Sequence, residues 1–154
     1  MAWKLTVNSQ SDTDDTQIII NCSRMDDKLC MLIELIKQFT YVFRAKAEDE
    51  LCLIPAEEVY YIESVDSKTF LYGEKNVYSV SETLYEIESD LADSAFVRIS
   101  KSCILNLLYL EAVRPFWNHR LEARLKNGEK LIVTRSYVDG LRRKLNPGGK
   151  HEQA

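Results

Sequence analysis

The amino-acid sequence predicts a mainly β fold with short helices, an α+β arrangement of small antiparallel sheets preceded by a short strand-helix element at the N-terminus. Three observations carry this expectation. Short runs with period-two apolar patterning recur from Tyr41 to Thr134, turn-forming residues separate them, and helical spacing holds over only three brief stretches. A length of 154 residues suits one ordinary domain plus a small extra element. The expected division is an N-terminal extension at 1–45, a main domain at 46–146 and a flexible tail at 147–154.

In chain order, Asn8 to Asp15 is rich in Ser, Thr and Asp and is expected to be mobile. Gln17 to Cys22 reads as a short buried strand because Ile18-Ile19-Ile20 is a β-branched run. Ser23 with Asp26 three residues on resembles a capping box, and Leu29, Leu32, Ile33 and Ile36 follow at helical spacing, which predicts a helix from about Asp26 to Gln38. The period then changes to that of strands at Tyr41 to Lys46, Leu51 to Ile54 and Val59 to Ser64. Phe70 to Gly73 and Asn76 to Ser79 read as a hairpin. Ser79 or Ser81 is expected to cap a second helix with Leu84, Ile87 and Leu91 on one face and Glu82, Glu86, Glu88 and Asp90 on the other.

Further strands are expected at Phe96 to Ile99, Tyr109 to Pro115, Leu121 to Lys126 and Glu129 to Thr134. Asn127-Gly128 between the last two is a type I′ hairpin signal, since both central residues of that turn need positive φ. Ser136 with Asp139 can cap a final helix in which Val138, Leu141 and Leu145 face inward while Arg142, Arg143 and Lys144 face out.

Composition narrows the function. The chain is 45% apolar and 29% charged, with no run near the roughly 20 apolar residues of a membrane span. Met1-Ala2-Trp3-Lys4-Leu5 lacks a signal-peptide core, so a cytoplasmic protein is expected. Cys22, Cys30, Cys52 and Cys103 are irregularly spaced inside apolar runs, which points to free thiols rather than a zinc site. No Gly-rich phosphate loop, Ser-His-Asp set or metal-ligand cluster is legible, so neither an enzyme nor a bound cofactor is expected. The net charge of −4 hides a gradient: −1 over residues 1–45, −9 over 46–90 and +6 over 91–154. A polyanion would meet the last third.

The runs Val59-Tyr60-Tyr61-Ile62-Glu63-Ser64, Thr83-Leu84-Tyr85-Glu86-Ile87-Glu88 with Leu91, Phe96-Val97-Arg98-Ile99-Ser100-Lys101-Ser102, Leu105-Asn106, Asn127-Gly128 and Thr134-Arg135-Ser136-Tyr137 together resemble the LytTR family of DNA-binding domains in order and spacing. The resemblance covers roughly two-thirds of the chain. It implies sequence-specific binding of double-stranded DNA at direct-repeat sites by two copies, with transcription regulation as the outcome. In that family, loops at the sheet ends rather than a recognition helix enter successive major grooves.

Carried over position by position, the resemblance implies base contacts at Thr69, Lys101 and Arg135. Ser67, Lys68, Ser100, Ser102 and Ser136 are the implied phosphate contacts. Arg135 can present two parallel donors to the O6 and N7 edge of guanine. Thr69 and Ser100 depart from relatives, which often carry histidine or a longer donor there, so the preferred DNA sequence is expected to differ. Arg98 is open between a DNA-facing role and a salt bridge to the acidic helix, and Trp117-Asn118-His119-Arg120 between a basic DNA edge and a plain turn.

Residues 1–45 are too short for the receiver domain common in response regulators, so control is expected to differ. Residues from about Gln17 to Phe39 are candidates for self-association or for docking a regulatory partner. The rival reading is an RNA-binding sheet module, with Tyr60, Tyr61, Phe70, Tyr72 and Tyr78 as a stacking surface.

Overall fold

The computed structural model of the protein describes residues 3–9 and 16–146. The expected tail at 147–154, and all of the expected mobile stretch except Asn8 and Ser9, lie outside the described residues. Helix α1 (Asp27–Thr40) starts where Asp26, in extended conformation, accepts a hydrogen bond from the Leu29 amide at 2.8 Å. Asp26 itself is therefore the cap, and the expected box opening at Ser23 does not form.

Two antiparallel sheets follow. The larger has seven strands in the order β2-β1-β5-β4-β3-β7-β6, built from β1 (Val42–Ala47), β2 (Glu50–Pro55), β3 (Tyr61–Val65), β4 (Lys68–Tyr72), β5 (Val77–Val80), β6 (Phe96–Ser100) and β7 (Cys103–Asn106). The smaller orders β10 (Lys130–Val133), β9 (Arg120–Leu125) and β8 (Leu110–Phe116). Between β5 and β6 lies α2 (Leu84–Asp90), and α3 (Val138–Leu145) closes the described chain. Among the described residues no helix is long and apolar enough to cross a membrane.

The central strands β3, β7 and β6 are covered on both faces, which divides the core in two. Ile62, Ile104 and Phe96 pack with Phe43, Leu71, Leu84 and Ile87 on the α2 side. Val97, Ile99, Cys103 and Leu105 pack with Leu121, Leu125, Val133 and Leu141 on the side of the small sheet and α3. Each fully buried aliphatic side chain of this kind contributes about 1.5 to 3 kcal/mol relative to exposure. The outer edge of β6 is closed by the chain after β10, where the Thr134 amide donates to Ile99 O at 2.9 Å. At the other end β2 has no further strand beside it among the described residues, and Leu51 and Leu53 there are 67% and 66% exposed.

Several sequence expectations are corrected. Gln17 to Cys22 forms no strand: these residues are exposed and without regular structure, because a β-branched run needs a partner strand and none is within the described fold. Thr83, not Ser79 or Ser81, caps α2; its hydroxyl accepts from the Glu86 amide while the Glu86 carboxylate accepts from the Thr83 amide. Ser79 instead lies within β5. The strand β7 was not expected at all.

Asn127-Gly128 is not a two-residue type I′ turn. Only Gly128 has positive φ, 91°, and the Gly128 amide donates to Leu125 O while the Leu125 amide donates to Glu129 O, as in a three-residue turn with a glycine bulge. Ser136 caps nothing by its side chain; a 3-10 turn at Arg135–Tyr137 leads into α3. Lys144 does not face out: its ammonium donates to Ala92 O, Ser94 O and Phe96 O, which pins α3 to the start of β6. Leu145, expected inward, is exposed.

Candidate nucleic-acid interface

Four chain corners meet at one end of the two sheets. The β3–β4 hairpin turns at Asp66-Ser67, between the paired residues Val65 and Lys68. The β6–β7 hairpin turns at Lys101-Ser102, between Ser100 and Cys103. In the small sheet, β8 and β9 turn through Trp117, Asn118 and His119, and β10 ends at Val133, paired with Leu121 at the start of β9. Two backbone hydrogen bonds join these corners: Ser64 N to Ser102 O at 2.8 Å and Thr134 N to Ile99 O at 2.9 Å. Strand ends, not long loops, thus fix the backbone that carries the exposed side chains.

A cleft of about 770 Å³ lies between the second and fourth corners, lined by Ser100, Lys101, Ser102, Thr134, Arg135, Ser136 and Tyr137 together with Asn118 and Arg120. It gathers five of the residues expected to contact DNA: Lys101, Arg135, Ser100, Ser102 and Ser136. Lys101, Arg120 and Arg135 are exposed, and none of them enters an ion pair among the described residues. Among the described residues Arg135 makes no ion pair with Glu129 or Asp139, the acidic residues near it in sequence. Within the Ser100-Lys101-Ser102 turn the Ser102 amide donates to Ser100 Oγ at 3.2 Å, and the two serine hydroxyls lie 3.3 Å apart. The arrangement offers ammonium, guanidinium and hydroxyl donors on one surface, the chemistry that phosphate oxygens and base edges accept.

Ser67 and Lys68 do not line the cleft. They are exposed one hairpin away, on the turn joined to it through Ser64. Asp66 and Ser67 have φ of 51° and 64°, a left-handed pair at the apex of a two-residue turn. Thr69, an expected base contact, lies within β4, opposite Ser64 and Val80, and is 6% exposed. Its hydroxyl is turned away from solvent by the alternation of the strand, so the exposed donors at this corner are Ser67 and Lys68.

Arg120 and Asn118 are residues that the sequence left undecided. Asn118 and His119 have φ of 58° and 59°, and this left-handed turn carries Asn118 and Arg120 to the cleft. A pattern of Asn-His between two alternating strands was the available signal, since Asn tolerates the left-handed region better than most residues. Arg98 is resolved in favour of a structural role. Its Nη1 lies 2.8 Å from Glu88 Oε2, Nε donates to Ser100 O at 2.7 Å, and Nη2 donates to Lys101 O.

Three tyrosines of the rival RNA reading are stacked on other rings of the fold. Tyr60 stacks on Tyr109 with centroids 3.8 Å apart, and Tyr61 on Tyr72 at 4.5 Å. Burial first, then a hydrogen bond to Glu129, raises the Tyr61 hydroxyl well above its usual range. Burial also pushes the Cys103 thiol up to about 12, so it stays protonated as a small apolar group. Among the described residues no cluster of three His, Cys, Asp or Glu side chains could hold a metal ion.

The chain is similar in fold and sequence to known proteins. A solved LytTr DNA-binding domain from Bacillus cereus superposes with a TM-score of 0.65 at 28% identity, covering 68% of this chain and 96% of that one. The sensory transduction protein LytT of Enterococcus faecalis is 31% identical over 100 residues, 65% of this chain and 41% of the relative. The transcriptional regulatory protein YpdB of Escherichia coli K12 is 27% identical over 100 residues, again 41% of its length. The chain thus spans about two-fifths of the length of the curated relatives it matches. The LytTr DNA-binding domain, a DNA-binding rather than an enzymatic family, matches residues 49–146, and the chain belongs to that family.

Proposed function

We propose that the protein binds double-stranded DNA sequence-specifically through the corners of its two sheets and regulates transcription in the cytoplasm. The observation that carries the proposal is the cleft at which Lys101, Arg120 and Arg135 stand exposed, without acidic partners among the described residues, beside the hydroxyls of Ser100, Ser102 and Ser136. In this reading the corners enter major grooves. Arg135 and Lys101 meet base edges, Ser67, Lys68, Ser100, Ser102 and Ser136 meet phosphates, and Arg120 joins them. Two copies occupy a direct repeat, and the segment from about Gln17 to Phe39 serves self-association or a regulatory partner.

The test is selection from random duplexes by the purified protein, followed by titration of the enriched and scrambled sequences over a range of salt. Enrichment of a direct repeat supports the proposal, and salt-sensitive binding without enrichment sinks its sequence-specific part. Arg135→Ala is expected to cost about 1 to 3 kcal/mol on the enriched site and little on scrambled DNA. Lys68→Ala is expected to weaken both and to lower the salt slope by about one. Equal losses on both DNAs for Arg135→Ala would make it a phosphate contact.

A further inference from the structure

We propose that Glu88, on α2 and outside the cleft, is a positioning residue for the DNA-contacting Ser100-Lys101-Ser102 turn, acting through Arg98; this rests on the DNA-binding reading of that turn. The pairing of β6 with β7 shifts register between Arg98 and Ser100, so the strand bulges just before the turn. Bulges re-aim the residues that follow them and leave backbone groups unpaired by the ladder. Here the guanidinium of Arg98 takes up that slack.

Nε donates to Ser100 O and Nη2 to Lys101 O, so one rigid fork holds two of the three carbonyls of the turn. The remaining arm, Nη1, is held by Glu88 Oε2 at 2.8 Å. Arg98 is 16% exposed in its side chain and Glu88 46%, so the pair spans from beneath the turn to the protein surface. A planar guanidinium satisfied on three sides has little rotational freedom, and the backbone it holds inherits that restriction. Lys101 itself is free of ion pairs among the described residues, so its direction is set by this backbone and not by a partner of its own.

Electrostatics alone predicts the opposite effect. Glu88 is a carboxylate on a protein that binds a polyanion, so removing its charge should strengthen binding to any DNA if the residue only repels. The positioning role predicts weaker binding confined to the preferred site. The experiment measures Glu88→Gln, Arg98→Lys and the double variant on selected and scrambled duplexes, with thermal midpoint and amide exchange at Lys101 and Ser102. Glu88→Gln, on the surface, keeps the fold if Arg98→Lys does not.

The expected result is a loss of about fivefold to tenfold on the selected site for Glu88→Gln, no loss on scrambled DNA, faster exchange at Lys101 and Ser102, and a double variant no worse than Arg98→Lys. Unchanged or stronger binding to the selected site by Glu88→Gln overturns the proposal. Lys101→Ala separates the two ideas. If it binds the selected site like the parent, the DNA reading of the turn falls and the proposal with it; if it loses affinity while Glu88→Gln does not, only the positioning role falls.

Discussion

Asn106 shows how much of this fold rests on single polar side chains. Its buried amide donates to Val59 O at 2.8 Å and accepts from Gln38 Nε2 at 3.0 Å and the Leu108 amide at 3.1 Å, joining α1, the chain before β3 and the end of β7. Gln38, itself 1% exposed, commits its side-chain nitrogen there, while its Oε1 has no hydrogen-bond partner among the described residues. Asn106→Leu would leave a carbonyl and two donors buried without partners, so it is expected to destabilise by about 2 to 3 kcal/mol, read as a lower urea midpoint at unchanged m. The sequence marked Asn106 only as part of a family pattern. Its role was illegible because all three partners are distant in the chain or are backbone groups. The burial of Thr69 was illegible for a related reason: its nearness to a turn could be read, but the face a strand residue takes depends on where the turn closes, here at Asp66-Ser67.

At the scale of elements, period was legible, whereas the capping residues and the pairing were not. The hairpins and the amphipathic helices follow from alternation and spacing carried by each segment alone. β7, Cys103–Asn106, escaped because all four residues are buried on a sheet covered on both faces, which erases alternation. Ile18-Ile19-Ile20 erred in the opposite direction, having strand propensity but no strand to join. The two strained turns at the interface end were not marked by glycine, since Asp66-Ser67 and Asn118-His119 use left-handed backbone without it. Such strain gathers at sites kept for function. Ser67→Gly is expected to raise stability by about 0.5 to 1 kcal/mol in urea unfolding, because glycine pays no Cβ penalty at φ of 64°. No gain would mean that the serine side chain compensates within the turn.

For the whole molecule, α1 is tied to the domain by titratable as well as by amide contacts. Tyr41, where α1 passes into β1, has its hydroxyl pushed from 10.0 to about 12, chiefly by burial and then by the charges of Asp90 and Glu82. A raised folded value means the stabilisation is complete below about pH 10 and is lost as pH rises from there towards 12. The thermal midpoint is therefore expected to fall over that interval, and Tyr41→Phe to shallow the fall; a flat profile would show that α1 is not coupled to the rest through this residue. The same wide sheet has a steric consequence. Its open strand β2 lies six strands from β6, roughly 29 Å at about 4.8 Å per strand. A neighbour extending the sheet at β2 would thus stand clear of the corners beside β6, while the β3–β4 corner, three strands or about 14 Å from β2, would be the one nearest to it.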